Sequence, residues 1–222
     1  MTPDHRFTAT LAWQMLTRLG EIQILLPVLL ATAWSIRRPA RRLAASWVGA
    51  AAVAVLITAA TKVAFIGWGW GSATLDFTGI SGHAMMAAAV LPLLLHLALR
   101  GRTAGGASAG LAAGTLLALV VAISRLRLGA HSPSEVVAGF LLGATVSAAA
   151  LATGRAAALR LPLWLPLALL AAVLVAAAGA PPSPAHGWVT RLALAASGRS
   201  HPYTRWQMHR DQRQAASGNA AR

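Results

Sequence analysis

His131 and Glu135 stand four residues apart in the segment Ser124-Arg125-Leu126-Arg127-Leu128-Gly129-Ala130-His131-Ser132-Pro133-Ser134-Glu135. If a helix opens near Ser132 or Pro133, that spacing brings the carboxylate to the imidazole, so that Glu135 accepts one ring N–H and fixes the tautomer. The other ring nitrogen is then free to act as a nucleophile toward phosphorus. In isolation such a pair reads more readily as a structural contact, so other residues must decide.

Phe77-Thr78-Gly79-Ile80-Ser81-Gly82-His83 closes a glycine-rich connector immediately before an apolar run. A turn into a helix start presents backbone N–H groups and a partial positive charge to an anion, and Ser81 adds a hydroxyl donor. A plain capping turn would use the same Ser-Gly pair. Lys62, the sole lysine, falls toward the end of an apolar stretch. A charge held in lipid costs about 3 kcal/mol unless it snorkels or is partnered, so Lys62 is either functional or reaches the headgroups beside Trp68 and Trp70. The remaining acids, Asp4, Glu21, Asp76 and Asp211, have no comparable partner in the sequence. His96 lies four residues before Arg100 within an apolar run and reads as structural, while His5, His186, His201 and His209 lie in terminal regions where histidine is ordinarily solvated.

The elements that must position these residues are written in the composition. Of 222 residues, 57% are hydrophobic and 11% charged, which departs far from the roughly 25% charge of a soluble domain and points to a membrane protein. Apolar runs approach the about 20 residues of a span at Ile22 to Ile36, Ala44 to Ile66, His83 to Leu99, Ala109 to Ser124, Glu135 to Ala152 and Leu161 to Ala180. The expected fold is therefore an all-α polytopic bundle of about six spans. Residues 1–20 form an N-terminal segment, 21–180 the membrane domain, and 181–222 a basic C-terminal tail. From about Gly198 the tail lacks an apolar period, so it is expected to be mobile and without a role in the site.

Cysteine is absent, which excludes disulfides, thiolate nucleophiles and zinc-thiolate sites. The net charge of +14 comes from arginines scattered between apolar runs, a pattern that marks topology and argues against nucleic acid. Arg37, Arg38, Arg41, Arg42, Arg100, Arg102, Arg155 and Arg160 fall in alternate connectors, which assigns those to the cytoplasm and the connectors Gly67 to Gly82 and Arg125 to Ser134 to the outer face. The arginines of the tail pull against this assignment but count for less.

Taken together, these residues resemble the type 2 phosphatidic acid phosphatase superfamily, which also holds the vanadium haloperoxidases. Its pattern is a lysine, six residues and Arg-Pro; then Pro-Ser-Gly-His; then Ser-Arg, five residues, a histidine, three residues and an aspartate. Lys62, Ser81-Gly82-His83, Ser124-Arg125 and His131 match in order and spacing. Gly69 and Trp70 replace Arg-Pro, Ile80 replaces the proline, and Glu135 replaces the aspartate. One phosphate-binding arginine is thus missing, with Arg127 an open substitute.

The resemblance implies that His131 attacks the phosphoryl group, that His83 serves as general acid and then base, and that Glu135 orients His131. Lys62, Arg125 and the Ser81 and Gly82 amides would bind the phosphate. It implies a lipid phosphate or pyrophosphate as substrate in a bacterial inner membrane with the site facing outward, no metal or other cofactor, and no partner beyond substrate and membrane lipids. Phosphatidic acid, phosphatidylglycerol phosphate, polyprenyl pyrophosphate and lipid A phosphate share the required headgroup. A transporter or channel, a bis-histidine haem or metal protein, and a relative that binds without catalysis are the competing readings.

Overall fold

A computed structural model of the chain describes residues 3–36, 40–153 and 184–220, together with the single positions 164, 168 and 171. In chain order its helices are α1 (Pro3–Arg18), α2 (Ile22–Ser35), α3 (Arg41–Trp68), α4 (Gly82–Leu99), α5 (Gly106–Arg127), α6 (Pro133–Thr153), α7 (Ala185–Ser197) and α8 (Arg205–Ala220). Among the described residues, the β-type pairing is an isolated bridge between Ser72 and Phe77. The architecture is all-α, as the apolar runs require, because helices satisfy their own backbone groups in lipid.

Segments long and apolar enough to cross a membrane are Thr10–Ser35 and helices α3, α4, α5 and α6, which makes the chain a multi-pass membrane protein. The first begins earlier than expected, because turn hydrogen bonds from Leu19, Gly20 and Glu21 back to Leu16, Thr17 and Arg18 carry α1 into α2. The expected sixth span, Leu161 to Ala180, lies outside the described residues except at isolated positions, as do Arg37, Arg38, Arg155, Arg160 and Arg222.

Helix α4 is apolar all round and forms the axis: 72% of its span is buried, against 33% for each of the other spans. Small residues let its neighbours approach. A Cβ on Gly139 would stand 2.5 Å from the Ser81 carbonyl, and Gly143, Gly110 and Gly114 meet α4 backbone more closely still. Pro92 withholds the amide that the Ala88 carbonyl would otherwise receive. Ser147 of α6 donates to that carbonyl at 2.8 Å, and Trp47 of α3 donates Nε1 to the next, Ala89, at 2.7 Å. On the lipid side, Val53, Leu56, Leu116, Val137 and Leu141 stay exposed, which costs nothing in hydrocarbon.

The end of α3, the starts of α4 and α6 and the end of α5 gather at one end of the bundle. There the Ser81 amide donates to the Glu135 carbonyl at 3.1 Å and Ser134 Oγ to the Leu75 carbonyl at 2.7 Å. The C-terminal residues differ from the mobile tail expected of them. Helices α7 and α8 pack on this same end, with Ala193 and Met208 buried against Phe65 and Ile66, and the Tyr203 amide donates to the Ile66 carbonyl at 2.9 Å. The stretch shows no apolar period because its apolar packing on the bundle comes from two residues five apart, Tyr203 and Met208.

Candidate active site

Helix α6 opens at Pro133, so Glu135 falls in its first turn, directed back at the residues before the helix. Its carboxylate is fully buried. Oε2 accepts from His131 Nδ1 at 2.6 Å and from the Ser132 amide at 3.1 Å. Oε1 accepts from the Thr78 amide at 2.7 Å, Thr78 Oγ1 at 2.6 Å and an Arg205 guanidinium nitrogen at 2.7 Å. A carboxylate so surrounded by donors is an acceptor on both oxygens, so Nδ1 of His131 carries its proton and Nε2 presents a lone pair. Burial holds the His131 imidazole below its ordinary range; the Glu135 hydrogen bond opposes this, and the cations Lys62 and Arg125 reinforce it. The ring is thereby kept neutral at neutral pH, the form a nucleophile needs.

His131 opens onto a cavity of about 560 Å³ whose lining includes Lys62, His83 and Arg125. Lys62 lies in the last two turns of α3, with its stem over Gly79. That glycine has φ +142, and a Cβ on it would stand 2.8 Å from Lys62 Cγ, so a side chain there would displace the lysine. His83 occupies the first turn of α4 and Arg125 the last turn of α5, where a guanidinium nitrogen donates to Thr17 Oγ1 at 2.7 Å. Arg125 Nε and Ser81 Oγ are buried without a protein partner. Buried donors left in this state cost about 1 to 3 kcal/mol each, and an anion in the cavity would relieve that cost. Of the proposed phosphate donors, the Ser81 amide is the exception: it is committed to the Glu135 carbonyl, so Ser81 reaches outward only through its hydroxyl. Gly82 lines an adjoining cavity.

That second cavity, about 370 Å³, shares Lys62, His83, Arg125 and His186 with the first. Its remaining wall is largely apolar, with Ile22, Val55, Met85, Met86 and Val189. Glu21, which had no partner in the sequence, lies in the same wall and acts electrostatically on Arg125.

Several residues were not legible beforehand. Arg205 reaches Glu135 across 70 positions of sequence, also bonds Thr78 Oγ1 at 3.1 Å, and pairs with Asp76. His209 Nε2 meets the other Asp76 oxygen at 2.7 Å. Asp76 and His209 therefore lose the readings of unpartnered acid and solvated histidine, and the C-terminal segment joins the site it was expected to avoid. The sole prior signal was the basic character of that segment, which does not specify a partner. Arg127, the open substitute for the motif arginine, instead places its guanidinium 6.0 Å from the Trp13 ring centre. Among the described residues, no cluster of three or more His, Asp or Glu has the geometry of a metal site.

The family model described as the PAP2 superfamily matches residues 65–159, a stretch that takes in His83, Arg125, His131 and Glu135 and begins just after Lys62. A protein of Klebsiella pneumoniae described as an uncharacterized 22.5 kDa protein in the cps region is 41% identical over 138 residues, which is 61% of this chain and 66% of that protein. The matched part thus spans just under two thirds of the relative's length. No solved structure matches the chain. The family match takes in both histidines, and the motif residues Lys62, His83 and Arg125 of three separate helices meet His131 around one cavity, so residues 65–159 are similar to the PAP2 superfamily in sequence and in the placing of its motifs.

Proposed function

We propose that the protein is an integral-membrane phosphatase that hydrolyses a lipid phosphate or lipid pyrophosphate through a phosphohistidine at His131. The observation that carries this reading is the cavity shared by His131, His83, Lys62 and Arg125, with His131 Nδ1 tied to the buried Glu135. The similarity of residues 65–159 to the superfamily supports phosphatase-type chemistry in general.

In the first step the lone pair on His131 Nε2 attacks phosphorus, the bond to the leaving oxygen breaks, and His83 gives that oxygen a proton. Lys62, Arg125 and Ser81 Oγ balance the charge on the equatorial phosphoryl oxygens, since positioning and electrostatics carry most of the catalysis of phosphoryl transfer. In the second step His83 takes a proton from water, the water oxygen bonds to phosphorus, and the N–P bond breaks to release phosphate. The imidazolium character that develops on His131 is stabilised by Glu135 in both steps.

A lipid substrate is supported by the apolar cavity that meets the charged one at Lys62, His83 and Arg125, because a phosphate bound at the cations can lay its hydrocarbon along Val55, Met85 and Met86. The charged groups sit at helix ends on one face, which favours an interfacial site over a conduit through the midplane. Arg41, Arg42, Arg100 and Arg102 lie at the opposite end, so the site faces the periplasm or exterior of a bacterial inner membrane. A phosphate-release screen of the purified protein tests the reading. Its panel is phosphatidic acid, phosphatidylglycerol phosphate, polyprenyl pyrophosphate and lipid A phosphate, with His131→Ala as blank. Release from at least one lipid is expected, and no release from any would overturn it.

A further inference from the structure

The C-terminal segment brings the reaction centre a charge that the bundle helices do not supply. Gly69, where the resemblance leads one to expect arginine, has φ +75, and a Cβ on it would stand 3.1 Å from Tyr203 Cε1. The tyrosine ring therefore covers that position, and its amide is bonded to the Ile66 carbonyl at 2.9 Å. Met208 is buried with Phe65 and Ile66. These two anchors flank Arg205, the first residue of α8.

From there the guanidinium of Arg205 meets the Asp76 carboxylate with one nitrogen and, with the other, Glu135 Oε1 at 2.7 Å and Thr78 Oγ1 at 3.1 Å. Asp76 takes φ +49, an uncommon conformation that aspartate tolerates better than most residues, and it is held from the other side by His209. The buried end of this chain of contacts is Glu135, with Arg205 and Thr78 on one oxygen and His131 and Ser132 on the other. Donors fixed on Oε1 prevent the carboxylate from turning away from His131.

We infer that Arg205 is a positioning residue of the reaction: it locks the Glu135 carboxylate so that Glu135 holds His131 in its Nδ1–H tautomer, which makes the C-terminal segment a working part of the site. The inference rests on the role proposed above for His131. The titratable and charged groups around His131 are Glu135 from α6, Lys62 from α3, His83 from α4 and Arg125 from α5, with Arg205 of α8, His186 of α7 and Tyr203 between those two helices lining the same cavity. Among these, Arg205 is the cation bonded to Glu135 itself. Removing it leaves the carboxylate less neutralised, so His131 retains its added proton to higher pH.

The test uses the full-length protein in lipid nanodiscs with ¹⁵N-labelled histidine, His131→Asn identifying the resonance. In the wild type His131 is expected as a single Nδ1–H tautomer. Arg205→Ala should mix the tautomers and raise the titration midpoint by about half a unit or more, and Arg205→Lys should restore much of both. On an active lipid, kcat should fall about 10- to 100-fold in Arg205→Ala with KM within about threefold, and the acid limb of kcat/KM should move up with the midpoint. An unchanged tautomer and midpoint in Arg205→Ala would overturn the inference. So would a rise in KM and in the inhibition constant of inorganic phosphate with the midpoint unmoved, since Arg205 would then be touching substrate. If the wild type releases no phosphate, the proposed function fails while the resonance of His131 still decides the role of Arg205.

Discussion

Glu135→Gln is nearly isosteric, yet it changes what the site can hold. The native carboxylate accepts from Thr78 and Arg205 on one oxygen and from His131 and the Ser132 amide on the other. Glutamine has one acceptor and one donor end. Turning the NH₂ toward Thr78 would set it against two obligate donors, a backbone amide and a guanidinium; turning it toward His131 sets it against one, the Ser132 amide. The second arrangement wins. The buried clash at Ser132 costs about 1 to 3 kcal/mol of stability. His131 Nδ1 must then accept, so the ring proton moves to Nε2 and the nucleophilic lone pair is lost. In a serine-protease triad, the wrong histidine tautomer that follows when aspartate becomes asparagine costs about 10⁴ in kcat. We therefore expect kcat for phosphate release to drop on the order of 10³-fold, about 4 kcal/mol, with KM within about threefold. Glu135→Asp keeps the acceptor but shortens the arm by one methylene, and should lose about tenfold. Initial rates on an active lipid phosphate in mixed micelles measure both. A Glu135→Gln enzyme within about threefold of wild type would refute the claim that the carboxylate sets the tautomer.

Burial lowers the proton affinity of His131, and the nucleophile must be neutral, so activity is lost as pH falls through the folded value. The acid limb of kcat/KM is thus expected below the ordinary imidazole value of about 6.5, and a limb above it would contradict the assignment. The same depression means that an unfolded chain takes up this proton at higher pH than the folded one, so a measured unfolding free energy should decline as pH drops through that window. His83→Ala should abolish turnover while membrane insertion and thermal stability stay near wild type; full activity would remove His83 from the chemistry. Gly143→Val sets side-chain atoms against the Met85 carbonyl and Ala88 of α4, and should lower stability by about 1 to 3 kcal/mol or prevent assembly, read as the unfolding midpoint in detergent.

The membrane helices were legible because lipid imposes the simplest of patterns, an apolar run of span length. The expected spans at Ala44, His83, Ala109 and Glu135 each fall within an observed helix that extends a little further at one or both ends. The extra turns at Arg41, Gly106 and Arg127 are polar or small, and hydropathy does not register them. Lys62, His83, Arg125 and His131 could be picked out because each is an ionisable group at the end of an apolar run, and the structure brings them to one cavity. The Glu135 bond to His131 followed from helical spacing alone. Asp76, Glu21 and Arg205 could not be found that way. Their partners lie on other elements, and nothing local distinguishes Arg205 from its neighbours Arg199, Arg210 and Arg213. What singles it out is the docking of Tyr203 on Gly69 and of Met208 on Phe65, a tertiary fact.

Covalent phosphorylation of His131 is the step on which the proposed chemistry turns. Rapid acid-free quenching of the wild type with a ³²P-labelled lipid phosphate, followed by peptide mapping, tests it most directly. Label is expected on His131, stable to base and labile to acid, and absent from His131→Ala; it should accumulate in any Glu135→Asp or His83→Ala enzyme that slows hydrolysis more than attack. Steady phosphate release with no label on His131 at any quench time, or release undiminished in His131→Ala, would contradict it.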